Sequence, residues 1–134
     1  MSAVRSAGLA TALVTTTPRR LACLVLDRMA EDLGSHPFGT TVCGDEVPAR
    51  KPDPAPYRQA MADLGVSPAG AVVIEDSAVG VTAGLTSGAA VLGVPSLQPL
   101  QAQPGLTLRD TLAGVGVADL RVVLADRALA DSAA

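Results

Sequence analysis

Short apolar runs alternate along this chain with longer segments in which apolar residues return every three or four positions, and that alternation predicts strands separated by helices. Ser2 to Ala7 reads as the tail of a helix stopped by Gly8, and Leu9 to Val14 as a strand running into Thr15, Thr16 and Thr17. Pro18 suits the first turn of a helix, whose apolar face is spaced through Leu21, Leu24, Val25, Met29 and Leu33 and which stops near Gly34. Phe38 to Cys43 predicts a second strand. The loop Gly44 to Pro56 carries four prolines, which exclude regular structure there. A helix is expected from Tyr57 to Leu64, with Gly65 as its stop and Ser67-Pro68 as the next turn.

The most informative run is AVVIEDSAVGV, from Ala71 to Val81. Ala71 to Ile74 is apolar without alternation, which predicts a strand covered on both faces, and it stops at two adjacent carboxylates, Glu75 and Asp76. Ser77 is placed to cap a helix from Ala78 to Ser87, which Gly88 closes. Ala89 to Val94 is a fourth strand, Ser96 to Gly105 a loop, Leu106 to Leu108 a short edge strand, and Val117 to Leu129 an amphipathic helix, with Ala130 to Ala134 fraying. Strand and helix in turn, joined by short connections, argue for a mostly parallel sheet with helices on both faces: a single α/β domain over residues 1–134. Thr15, Lys51, Glu75 and Asp76 each follow a strand, so this topology gathers them on one edge, where such sheets bind ligands.

Composition narrows the chemistry. Of 134 residues 49% are hydrophobic but only 1% aromatic, so Val, Leu and Ala fill the core. A net charge of -3 gives no broad basic footprint for nucleic acid or an anionic membrane. No apolar run reaches the roughly 20 residues of a membrane helix, and the first residues make no convincing signal peptide, so the default placement is cytoplasmic. Cys23 and Cys43 stand twenty residues apart without a clustered His; they read as buried small hydrophobes. His36 lies in a turn beside Pro37 and takes no role, and Arg19 and Arg20 read as ordinary exposed helix arginines. Nine of the ten basic residues are Arg, which makes the single lysine, Lys51, conspicuous.

Each candidate also has a plainer reading. The threonine triplet suits β propensity and a helix cap, a loop lysine is commonly solvated, and Glu75 and Asp76 favour the amino end of the following helix. In combination they point further. ALVTTT, RKPDPAPY and VIEDSAVGV, in that order between Leu9 and Pro95, resemble the haloacid dehalogenase-like superfamily, in its phosphatase and β-phosphoglucomutase-like branch. The resemblance implies a three-layer Rossmann-like core and magnesium-dependent hydrolysis or transfer of phosphate on a small phosphorylated metabolite. It implies that Thr15, with the N–H groups of Thr16 and Thr17, holds phosphoryl oxygens; that Lys51 offsets their charge and that of the nucleophile; and that Asp76 binds Mg2+, with Glu75 as a further ligand or acting through a bound water.

The family's nucleophile motif, DxDx(T/V), occurs nowhere in the chain; Asp45 and Asp53 do not supply it. In the family that strand lies between those corresponding to Leu9 to Val14 and Ala71 to Ile74, and a cap domain follows it. The chain is therefore expected to resemble the carboxyl-terminal, truncated part of such a hydrolase, incomplete at its amino end and weak or inactive alone. The alternative is a non-catalytic remnant or interaction module, oligomerising through exposed sheet edges.

Overall fold

Five helices and five short strands follow one another along the chain, of which the computed structural model describes residues 2–133. A short helix α1 (Ser2–Ser6) precedes β1 (Ala12–Val14), α2 (Arg19–Leu33), β2 (Thr40–Val42) and α3 (Ala55–Leu64). A single 3-10 turn (Pro68–Gly70) leads to β3 (Val72–Glu75), α4 (Ala78–Thr86), β4 (Ala90–Gly93), β5 (Leu106–Leu108) and α5 (Val117–Ala133). Gly34 and Gly65 end α2 and α3 at φ 77° and 68°, a left-handed conformation that favours glycine. The Ser77 hydroxyl accepts from the Gly80 N–H and caps α4 as expected.

β1, β2 and β4 are shorter than the apolar runs that announce them, because pairing covers only part of each run, whereas β5 matches its run and β3 is displaced by one residue. Two helices differ from expectation. α3 begins at Ala55, inside the proline loop, since proline is tolerated in a first helical turn, where its missing N–H has no partner to lose. α5 continues past Leu129 to Ala133, so the frayed end expected from Ala130 is helical; Ala134 lies outside the described residues. Cys43 is buried, but Cys23 is only half-buried, on a helix whose Leu24 and Val25 are exposed.

All pairing among the described residues is parallel, yet it forms two pieces: β1 with β2, and β3 with β4 with β5. β4 is buried along its whole length and forms the centre of the larger piece. Val91 and Ala89 join Tyr57, Met61, Val73 and Val81 in a core cluster, while Ala90 and Leu92 meet Val123 of α5 in another. α3 and α4 thus cover one face and α5 the other, the three layers of an α/β core. α3 also packs on β1 and β2 and so ties the two pieces together.

β3 is not covered on both faces as its composition suggested. Val73 and Glu75 are buried but Ile74 is 46% exposed. The reason is the break in the sheet. In a parallel ladder a residue directs its N–H and C=O to the same neighbour, and alternate residues face opposite sides. Thr15 N–H donates to the Val42 carbonyl, while the Ala71 and Glu75 carbonyls accept from Ala90 and Val94. Val14 and Ile74 therefore present their backbone polar groups away from β2 and β4, and both line one cleft. The core is incomplete where a central strand would pair with β1 on one side and β3 on the other.

Candidate active site

A cleft of about 510 Å³ opens between those two strand edges. Leu13, Val14, Ile74 and Val79 make it apolar within, and Thr15, Thr16, Lys51, Glu75, Asp76 and Ser77 line its polar end. The expected gathering of residues from separate strand ends thus occurs. Thr17 stands outside the lining.

Thr15 to Thr17 form the turn between β1 and α2. The Thr17 N–H already donates to Thr15 Oγ1 at 3.1 Å, and the Thr15 N–H to the Val42 carbonyl at 3.0 Å. Of the donors expected there, the Thr15 hydroxyl hydrogen and the Thr16 N–H remain for a ligand. The turn is held from below by Gly44, whose N–H donates to the Thr17 carbonyl at 3.1 Å. Asp45 completes the arrangement by accepting from the Arg19 N–H at 3.0 Å, which satisfies one of the open donors at the start of α2.

Lys51 is the lysine of the proline loop, at a cis Lys51–Pro52 peptide. Its ammonium donates to the Val14 carbonyl at 3.0 Å and to Glu75 Oε1 at 2.5 Å. Neither side chain of the ion pair is more than 9% exposed. The plain reading of a solvated loop lysine therefore does not hold. An ammonium has three donors, and two are accounted for by these acceptors.

Glu75 Oε1 also accepts from the Tyr57 hydroxyl, and Oε2 lies 3.5 Å from the Ser77 hydroxyl. A Cβ at Gly80 would stand 2.5 Å from Oε1, so only glycine in the first turn of α4 leaves room for this carboxylate. Asp76, by contrast, is exposed, and one of its oxygens accepts from the Ser96 hydroxyl at 2.9 Å. The two adjacent acids thus have different surroundings: Glu75 is enclosed by donors, and Asp76 faces the cleft. No cluster of three or more His, Cys, Asp or Glu that could hold a metal occurs among the described residues.

Tyr57 and Ser96 were not singled out by motif. Tyr57 looks like one more apolar position of a helix; its one distinguishing sign is a hydroxyl carried into a buried face six residues after the lysine. Burial, and then the negative charge of Glu75, push its phenol far above the ordinary tyrosine range. The folded chain therefore holds this proton more tightly than the unfolded chain. That contribution to stability is present in full below about pH 10 and is lost as pH rises beyond it. Tyr57 is the only tyrosine and there is no tryptophan. Absorbance at 295 nm is expected to show no tyrosinate until the chain unfolds in alkali, and an ordinary titration in urea.

Arg19 is not the freely solvated arginine its position suggested. It donates to Glu46 at 2.6 Å and to the Thr41 carbonyl at 2.7 Å, tying the turn after β2 to α2. That bond holds the Glu46 carboxyl below, and the Arg19 guanidinium above, its ordinary range. Arg20 is exposed, and His36 only approaches the Phe38 carbonyl in its own turn. No helix among the described residues is long and apolar enough to cross a membrane.

Comparison with known proteins agrees with this geometry. The family described as haloacid dehalogenase-like hydrolase matches residues 1–88. A phosphoglycolate phosphatase of Psychrobacter arcticus is 35% identical over 92 residues, covering 68% of this chain and 38% of its own length. A phosphorylated carbohydrates phosphatase of Thermotoga maritima is 41% identical over 85 residues, covering 63% of this chain and 38% of its own. The crystal structure of CbbY from Rhodobacter sphaeroides in complex with phosphate superposes with a TM-score of 0.76 at 28% identity, over 90% of this chain and 55% of that one. The chain thus spans well under two thirds of these relatives. With the family matched over most of its residues and the three-layer fold shared, the chain belongs to the haloacid dehalogenase-like hydrolases, in their phosphatase branch.

Proposed function

We propose that this chain supplies the threonine, lysine and acidic parts of a phosphate-ester hydrolase site acting on a small phosphorylated metabolite. The observation that carries the reading is the convergence of Thr15, Lys51 and Asp76 from three separate strand ends on one cleft. Phosphoryl transfer needs donors for the equatorial oxygens, positive charge beside them, and an in-line nucleophile. The Thr15 hydroxyl and Thr16 N–H are the donors, and the remaining N–H of Lys51 is the fixed charge. The names of the relatives, phosphatases of phosphoglycolate and of phosphorylated carbohydrates, support the substrate class.

Mg2+ fits what is present. Asp76 offers an exposed carboxylate oxygen beside the cleft, and Mg2+ ordinarily takes one or two carboxylates with waters and phosphate oxygens. Bound there it would offset charge developing on the phosphoryl group. Glu75, enclosed by Lys51 and Tyr57, suits the role of orienting Lys51 better than that of a direct ligand. The nucleophile is not among these residues. A segment carrying DxDx(T/V) and pairing between the β1 and β3 edges would place it at the polar end of the cleft.

The test is hydrolysis of p-nitrophenyl phosphate with and without Mg2+. The chain alone is expected to show no Mg2+-dependent turnover. The chain fused behind a relative's DxDx(T/V) strand and cap is expected to gain it, and Asp76→Asn in the fusion to lose about a hundredfold. A fusion that folds and remains inactive would overturn the reading.

The paired open edges favour one other reading, an interaction module that recruits a strand from another chain or a second copy. It requires a stable oligomer in sedimentation and no turnover in the fusion. A monomer that turns over in the fusion excludes it.

A further inference from the structure

Two of the contacts that hold Lys51 in the cleft lead to Tyr57. The ammonium stands 4.8 Å above the centroid of the Tyr57 ring, while the hydroxyl of the same residue donates to Glu75 Oε1, the oxygen that also accepts from Lys51. One side chain thus touches both members of a buried ion pair, through its face on one side and its hydroxyl on the other. Val14 supplies the remaining acceptor, and Asp76 adds negative charge nearby.

We infer that Tyr57 is a positioning residue, which fixes the direction of the Lys51 ammonium by anchoring Glu75 with its hydroxyl and bracing the lysine with its ring. The inference rests on Lys51 being the phosphate-facing cation proposed above. A flexible lysine stem loses rotamer freedom when it is held, and a carboxylate with one strong partner turns freely about its last torsion. The hydroxyl takes that freedom from Glu75, and Glu75 takes it from Lys51. Ring face and hydroxyl act separately, so phenylalanine keeps the first and removes the second.

The bland alternative is that Tyr57 merely fills the core beside Met61, Val73 and Val81. A filler needs only its ring. The two differ in what the Tyr57→Phe variant does to Lys51, and the chain offers a clean readout because Lys51 is its only lysine. Lysine labelled with 13C at Cε gives one resonance in the full chain. With Lys51 fixed, its two ε protons are inequivalent and lie upfield under the ring. Tyr57→Phe is expected to collapse that inequivalence toward the averaged value of a free lysine while circular dichroism stays unchanged. Glu75→Gln is expected to do the same, and the double variant to add nothing further, since the hydroxyl acts through Glu75. A Lys51 signal in Tyr57→Phe that superposes on the parent would overturn the inference.

Should Tyr57→Phe fail to fold, 3-fluorotyrosine at this single tyrosine keeps ring and hydroxyl and strengthens the donor. The Lys51 signal must then move; an unmoved signal also overturns the inference. Inorganic phosphate separates this outcome from the functional reading. It is expected to shift the Lys51 resonance in the parent and to bind Tyr57→Phe roughly tenfold more weakly. Phosphate that leaves the parent signal unmoved, while Tyr57→Phe still collapses the inequivalence, removes the phosphate site and leaves the positioning role standing.

Discussion

Lys51→Met is expected to destabilise the chain by about 3–5 kcal/mol, read as a lower urea midpoint with an unchanged slope. The size follows from burial. Lys51 and Glu75 are 9% and 8% exposed and their charged atoms meet at 2.5 Å. Removing the ammonium leaves a carboxylate in a pocket built around a cation, with only the Tyr57 and Ser77 hydroxyls as donors. Methionine matches the lysine stem in length, so packing over the Tyr57 ring is largely kept and the loss isolates the charge. The double variant Lys51→Met, Glu75→Gln is expected to recover much of that loss, because a neutral amide needs no cation. If the double variant is as unstable as the sum of the singles, the pair is not coupled. In the fusion proposed above, Lys51→Met should remain inactive whether or not stability is restored, which separates the charge needed for folding from the charge needed at phosphate.

How much of this was legible beforehand varies with the kind of feature. Element types followed from the apolar pattern, because short uninterrupted runs and apolar residues returning every three or four positions leave different marks even in a chain of Val, Leu and Ala. The ends were less legible. Pro56 inside α3 and the helical turn beyond Leu129 depend on what an individual turn tolerates, which apolar spacing does not report. The exposure of Ile74 was hidden for a different reason: an uninterrupted apolar run looks the same whether its second face meets a helix or an unfilled slot.

Within the site, the residues marked by loop wording were found and those marked only by contact were not. Thr15, Lys51 and Asp76 stand in conspicuous loops after strands and share one cleft. Adjacent carboxylates suggested a shared metal; their surroundings in the fold differ, Glu75 meeting Lys51 and Tyr57 and Asp76 meeting Ser96. Tyr57 carries its message in a hydroxyl that only tertiary contact reveals. The same holds for Gly80, a glycine at ordinary φ, whose requirement comes from the Glu75 carboxylate packed against it.

Gly44→Ala is expected to destabilise the chain by about 3 kcal/mol, at the upper end of the range for overpacking, and to remove the phosphate binding proposed for Thr15. A Cβ there would stand 2.7 Å from the Thr16 carbonyl carbon and overlap its oxygen. The obstacle is backbone, so no rotamer change relieves it, and the Thr15 to Thr17 turn must move. That movement breaks the Gly44 N–H bond to the Thr17 carbonyl and strains the Arg19 N–H bond to Asp45. Gly80→Ala makes the useful contrast, since its Cβ meets the side-chain carboxylate of Glu75 and not backbone, so relief comes by loosening the Glu75 bonds to Lys51 and Tyr57. Gly80→Ala should therefore disturb the Lys51 resonance while the amide signals of Thr15 to Thr17 stay in place. Gly44→Ala should do the reverse. Amide spectra in which both variants shift the same signals would mean that the threonine turn and the lysine clamp move as one body, and that their separate anchoring by Gly44 and Tyr57 is not how the cleft is held.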